Sequence, residues 1–102
     1  MKVPRLSEEQ IASELGKLRG WKVADGKLHR EFQFADFSEA FAFMTRVALA
    51  AEAMNHHPDW SNVWNRVVID LNTHAAGGIT HLDFELAGKI DKLAPRAAAT
   101  SP

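Results

Sequence analysis

Three helix-starting sequences, separated by two pairs of strand-like segments, constrain the fold of this chain more than any other feature. Each start is a capping residue followed three positions later by an acidic or amide side chain: Ser7 with Gln10, Asp36 with Glu39, and Thr80 with Asp83. Such pairs satisfy the free backbone N–H groups of a helix N-terminus. The sequence therefore predicts helices over about 8–18, 37–54 and 81–93.

The segment between the first two helices predicts a β-hairpin. Asp25-Gly26 suits a type I′ turn, in which both central residues need positive φ. Beyond this turn, Leu28, Phe32 and Phe34 alternate with polar residues, which is typical of a strand with one buried face.

A second hairpin is predicted between the last two helices. The segments 60–64 and 67–73 have strand character, and Asn65-Arg66 is the predicted turn, although arginine tolerates positive φ less well than asparagine. The residues expected to face the core are Val67, Ile69 and Leu71. The order α-β-β-α-β-β-α predicts an α+β fold, with a four-stranded antiparallel sheet and three helices packed on one face.

Size and composition limit the class of protein. We expect residues 1–95 to form a single domain and residues 96–102, after Pro95, to form a disordered tail. The absence of cysteine excludes disulfides and thiolate chemistry, and a net charge of -1 gives no basic face for nucleic acid. No signal peptide or membrane span is predicted, because no apolar run approaches about 20 residues. A cytoplasmic protein without nucleic-acid or membrane partners is expected.

The predicted helix 37–54 is apolar around most of its circumference. Its few polar positions, Ser38, Thr45 and Glu52 among them, form only a narrow wedge. Such a helix needs cover on more than one side. We therefore predict that it packs on the sheet and also on a partner subunit, giving a homo-oligomer, either a dimer or a tetramer. The alternative is cover by the first and third helices.

Three of the five histidines lie close to two predicted element ends. Pro58 restricts the residue before it to extended geometry, so we expect His57 to leave the long helix and His56 to close it. Glu52 precedes His56 by one helical turn and is expected beside that ring, unless it is an ordinary surface carboxylate. His74 follows the last strand. Imidazole titrates near pH 6.5, which suits both proton donation and proton acceptance.

These residues carry a family resemblance. Glu52, His56-His57-Pro58, Trp64, His74 and Asp83 follow one another with three, five, nine and eight residues between them. This spacing resembles the signature of the pterin-4a-carbinolamine dehydratases. The resemblance extends over about residues 6–93 and includes Gly20-Trp21 and Gly77-Gly78.

The resemblance implies a hydro-lyase that converts a 4a-hydroxytetrahydropterin, such as 4a-hydroxytetrahydrobiopterin, to quinonoid dihydropterin and water. It implies pterin recycling, with no metal and no organic cofactor. The residues that match the family's catalytic histidines are His56, His57 and His74. The residues that match its substrate contacts are Asn55, His56, His57, Asn72, Thr73, His74 and Ala75. Those expected in supporting positions are Glu52, Trp21 at the pocket border, and Asp83.

Two of these positions depart from the family pattern. Asn55 stands where an acidic residue is common, and Asn72 stands where serine or threonine is usual. Either amide can still hydrogen-bond a pterin edge. The departures therefore concern affinity more than chemistry.

The chemistry needs an acid at the departing hydroxyl and a base for the proton released as the carbon–nitrogen double bond forms. We assign the acid to His74 and leave the base open between His56 and His57. One alternative is a metalloprotein that uses the three histidines with Glu52 or Asp83 as ligands. Another is a non-catalytic dimerisation or coactivator module that acts through the long helix. The presence of all three histidines favours the enzyme.

Overall fold

The computed structural model describes residues 3–95. The elements in chain order are α1 (Glu8–Leu15), β1 (Lys22–Ala24), β2 (Lys27–Gln33), α2 (Phe37–Met54), β3 (Asp59–Val63), β4 (Arg66–Leu71), a 3₁₀ turn (His74–Ala76) and α3 (His81–Leu93). This order confirms the predicted α+β fold. The predicted tail 96–102 lies outside the described residues.

Capping interactions begin all three helices. Ser7 and Gln10 form a reciprocal capping box, in which the Gln10 N–H donates to Ser7 Oγ at 3.1 Å and the Ser7 N–H donates to Gln10 Oε1 at 2.8 Å. Asp36 accepts the Glu39 N–H at 2.8 Å, which is one half of such a box. Helix α1 ends at Leu15, earlier than the predicted end near residue 18, and is followed by a turn at 16–17 and a bend at 18–20.

The four strands form one antiparallel sheet in the order β1-β2-β4-β3. The β1–β2 turn is confirmed, since Asp25 and Gly26 have φ of 53° and 75°. The central pair is β2 with β4, where Leu28 faces Leu71 and Phe32 faces Val67. The sheet therefore joins the two hairpins along β2 and β4, and β3 lies at an edge.

The β3–β4 turn differs from the prediction by one residue. Val63 pairs with Arg66, so the turn is Trp64-Asn65, and Trp64 takes a φ of 50°. The Asn65 side chain is buried and donates to the Phe34 carbonyl at 2.9 Å. This tertiary hydrogen bond holds Asn65 inside the turn, and Trp64 is 64% exposed.

The core lies between one face of the sheet and the helices. Its fully buried members include Leu28, Phe32, Val67, Ile69 and Leu71 from the sheet, Phe43 and Val47 from α2, and Leu86 and Ile90 from α3. Arg30 lies on the same face of β2 and is also buried. Its guanidinium donates to Asp91 at 2.8 Å and to the Arg19 carbonyl at 2.6 Å, so the charge is compensated.

One side of α2 remains uncovered. Phe37, Phe41 and Leu49 are 50%, 56% and 69% exposed, so neither α1 nor α3 covers this side of the helix. Within residues 3–95, no helix combines the length and apolar character needed to cross a membrane.

Candidate active site

The C-terminus of α2 sets the direction in which the two adjacent histidines leave the helix. Asn55 adopts the left-handed conformation, with φ of 52°. Its N–H donates to the Glu52 carbonyl, and the His56 N–H donates to the Ala51 carbonyl, both at 3.0 Å. This is the hydrogen-bond pattern of a Schellman motif. Asn55 therefore terminates the helix, and the prediction that His56 closes it is wrong.

The His56 ring is held by a buried carboxylate from α3. Its Nε2 lies 2.6 Å from Asp83 Oδ1, and Asp83 is fully buried. Because a carboxylate only accepts, Nε2 carries the hydrogen and Nδ1 is the ring atom that remains for a ligand. Asp83 thus fixes the orientation of the ring and selects one of its tautomers.

The same carboxylate ties together three segments of the chain. Its Oδ2 accepts the Thr80 N–H at 2.8 Å and the Thr73 hydroxyl at 3.0 Å. Since the Thr73 hydrogen is used in this way, the Thr80 hydroxyl donates to Thr73 Oγ1 across 2.7 Å. Asp83 is therefore both the third residue of a helix capping box and the support of His56.

Glu52 supports a different histidine from the one predicted. Its Oε1 lies 2.8 Å from Nε2 of His57, and both side chains are largely exposed. The left-handed residue Asn55 breaks the helical track, so the one-turn spacing between Glu52 and His56 no longer brings those side chains together. The expectation that Glu52 orients His56 is wrong, because the carboxylate that contacts the His56 ring is Asp83.

His74 begins the 3₁₀ turn after β4. Its side chain is 75% exposed, and its Nε2 lies 3.8 Å from Asp59 Oδ2. The turn is fixed behind it, because the Thr73 N–H donates to the Gly78 carbonyl at 2.8 Å. The ring therefore projects from an anchored backbone into a largely exposed position.

One open cavity of about 460 Å³ joins these elements. Its lining residues are Val3, Asn55, His56, His57, Pro58, Asp59, Asn72, Thr73, His74, Ala75, Ala76 and Leu82. All seven residues predicted to contact substrate are among them, including the three histidines. The volume is in the range of small-molecule sites.

Trp21 lies apart from this cavity. It is buried in the core, and its Nε1 donates to Asp91 Oδ1 on α3 at 2.9 Å. The fold of the described chain does not bring Trp21 to the cavity, although the resemblance placed it at the border. The cause is its position before β1, at the opposite edge of the sheet from β3, whose first residue lines the cavity.

Asp59 is a cavity residue that the sequence reasoning missed. It is the first residue of β3 and pairs in register with Asp70. Its position directly after Pro58 was the available signal, because the residue after the His-His-Pro turn must stay beside it. The metal alternative gains no support from the geometry, since residues 3–95 contain no group of three or more histidine and carboxylate side chains arranged to hold an ion.

The fold and the cavity define a small α+β protein whose candidate site is a cavity lined by imidazole rings. Three rings meet one ligand-sized space, and a buried carboxylate sets the tautomer of one of them. Arrangements of this kind serve proton transfer to and from a bound small molecule.

Comparison with known proteins is consistent with this class. The model of the family described as pterin 4 alpha carbinolamine dehydratase matches residues 4–93. A protein of Solibacter usitatus, provisionally named pterin-4-alpha-carbinolamine dehydratase, is 62% identical over 88% of this chain and 95% of its own length. A Synechococcus protein with the same provisional name is 56% identical over 89% and 95% of the two chains.

A solved structure shows the same similarity in three dimensions. The crystal structure of a transcriptional coactivator/pterin dehydratase from Brucella melitensis matches with a TM-score of 0.86 at 44% identity, over 89% of this chain and 99% of the other. The chain described here therefore belongs to the pterin 4 alpha carbinolamine dehydratase family.

Proposed function

We propose that this protein catalyses the loss of water from a 4a-hydroxytetrahydropterin, giving the quinonoid dihydropterin for pterin recycling. The observation that carries the proposal is the convergence of His56, His57 and His74 on one cavity of about 460 Å³. Family membership supplies the substrate class, and the side chains supply the groups that the reaction needs.

The proposed chemistry divides between two sides of the cavity. His74 donates a proton to the departing 4a-hydroxyl, since its exposed ring can exchange protons with water. His56 accepts the proton released as the carbon–nitrogen double bond forms, because its Nε2 hydrogen is directed at Asp83 and its Nδ1 keeps a lone pair. His57, paired with Glu52, positions the ring system. The reaction expels water without net oxidation and requires no redox cofactor.

Asn55 and Asn72 give the proposed site polar groups for a pterin edge. Both line the cavity, and Asn72 Oδ1 is a buried acceptor that has no hydrogen-bond partner within residues 3–95. Amide side chains both donate and accept, so Asn55 and Asn72 can pair with the N–H groups and ring nitrogens of a pterin.

We further infer that the protein forms a homo-oligomer through α2. The exposed Phe37, Phe41 and Leu49 lie on this helix, and Phe37 and Phe41 already pack on each other with ring centroids 5.8 Å apart. Exposed apolar side chains grouped in this way mark contact surfaces.

The decisive experiment is stopped-flow turnover of synthetic 4a-hydroxytetrahydropterin, compared with its spontaneous dehydration. We expect His56→Ala and His74→Ala to lower kcat by about 10²–10⁴, the usual contribution of a proton-transfer group. His81→Ala is the matched control, since His81 is exposed at the start of α3 and does not line the cavity. A wild-type protein that gives no acceleration would refute the function. Unchanged turnover in His74→Ala would refute only the assignment of the acid.

A further inference from the structure

Asp59 and Lys27 form an ion pair beside the cavity, on the sheet face opposite the core. Lys27 Nζ lies 3.1 Å from Asp59 Oδ2, and the same oxygen lies 3.8 Å from His74 Nε2. Lys27 begins β2 and Asp59 begins β3, with β4 between these strands. The lysine side chain therefore reaches across β4 to hold a carboxylate at the cavity wall.

The strand register explains why Asp59 needs a fixed cation. Asp59 pairs directly with Asp70 on β4, and like charges in that relation destabilise a sheet. Asp70 is compensated by His29, whose Nδ1 lies 2.7 Å from Asp70 Oδ1. Lys27 compensates Asp59 in the same way. The Asp59 carboxylate is thus held in place at the point where His74 can reach it.

Asp59 is the one charged partner of the His74 ring in the described part of the chain. Within residues 3–95, its ring makes no hydrogen bond, and Asp59 is the only carboxylate within 4.0 Å of it. Hydrogen bonds in empty active sites are often long and tighten when the ligand binds. The 3.8 Å between His74 Nε2 and Asp59 Oδ2 exceeds hydrogen-bond distance by only about 0.6 Å, and the exposed ring is not packed in place.

We propose that Asp59, fixed by Lys27, is a positioning residue for His74. The Asp59 carboxylate accepts the N–H of the His74 ring and turns the imidazole toward the departing group. This inference rests on the proposed function and extends it to two residues outside the predicted site. His56 and His74 then use the same device, a carboxylate behind the ring. The carboxylate is buried for His56 and exposed for His74.

The test compares Asp59→Asn, Asp59→Glu and Lys27→Met in the full chain. We expect Asp59→Asn to lower kcat roughly three- to fivefold, the size of a partly exposed ion pair, and to leave KM within about twofold. Asp59→Glu should restore most of kcat, and Lys27→Met should give a smaller loss than Asp59→Asn. The matched control is Glu14→Gln, which removes an exposed Lys17–Glu14 pair of 3.0 Å on the distant α1.

A second readout does not depend on turnover. The ring ¹⁵N and ¹H signals of His74 should shift in Asp59→Asn and in Lys27→Met, while those of His81 stay unchanged. Wild-type kcat in Asp59→Asn, or a lower kcat with unmoved His74 signals, would overturn the proposal. If the wild-type protein shows no dehydratase activity, the proposed function fails, and the His74 signals alone decide whether Asp59 positions the ring.

Discussion

Asp83→Asn tests the support of the site most directly. The substitution keeps the shape of the side chain and replaces one oxygen with an NH₂ group. If the remaining oxygen keeps the Thr80 and Thr73 hydrogen bonds, the NH₂ group meets the Nε2 hydrogen of His56. His56 must then move its hydrogen to Nδ1, the atom assigned to accept the substrate proton. If the amide is reversed, the NH₂ group meets the Thr80 N–H, and the Asp83 half of the capping box is lost.

The hydrogen bonds of Asp83 determine how much stability and turnover the substitution should cost. A hydrogen bond to a charged group contributes about 1.5–3 kcal/mol, against about 0.5–1.5 kcal/mol for a neutral one. Loss of the 2.6 Å bond to His56 together with a forced tautomer change should therefore cost about 2 kcal/mol. For a domain of this size, that lowers Tm by about 8–16 °C. Turnover should fall by about 10²-fold or more, since the base has lost its lone pair.

Urea denaturation, thermal unfolding and stopped-flow turnover check these values, and ring ¹⁵N signals report the His56 tautomer. Glu85→Gln on the same helix is the control, because that exposed carboxylate makes only a 3.7 Å pair with Lys89 and should change stability by less than about 0.5 kcal/mol. The reasoning is refuted if Asp83→Asn unfolds within about 0.5 kcal/mol of wild type and keeps its turnover.

Three further predictions concern the sheet, the helix end and the exposed helix face. Burial by itself would lower the pKa of His29, but hydrogen bonds to Asp70 and Glu31 raise that pKa above 6.5. The stability from this protonated ring is therefore complete below pH 6.5 and is lost as pH rises through the folded-state pKa. In His29→Gln, the free energy of unfolding measured by urea denaturation should fall less steeply as pH rises above 6.5. A fall parallel to that of the wild type would contradict the prediction. Asn55→Ala should destabilise the protein by about 1 kcal/mol through its left-handed φ, and Asn55→Gly should not, as thermal unfolding will show. Phe41→Glu should lower the mass in sedimentation, and an unchanged oligomer would place the interface elsewhere.

The helix starts and the first hairpin were accessible from the sequence because they depend on neighbours within about four residues. Thr80 and Asp83 meet in a capping box wherever the helix lies, and Asp25-Gly26 turns the chain without help from the core. The seven residues predicted to contact substrate also came from the sequence, through their resemblance to the family, and all of them line the cavity.

Tertiary packing determines the side-chain partners and the position of the second turn. The sequence placed Glu52 beside His56, but the left-handed Asn55 sends that ring to Asp83, 27 residues further along the chain. Asn65, held by the Phe34 carbonyl, moved the second turn by one residue. Asp59 pairs with Lys27 because the sheet order places β4 between β2 and β3, within reach of the lysine side chain. The sequence thus predicted which histidines line the cavity, whereas the partner of each ring depends on how the helices and strands pack. The physical reason is that caps and tight turns form between near neighbours, but an imidazole and its carboxylate meet only after the core has brought distant segments together.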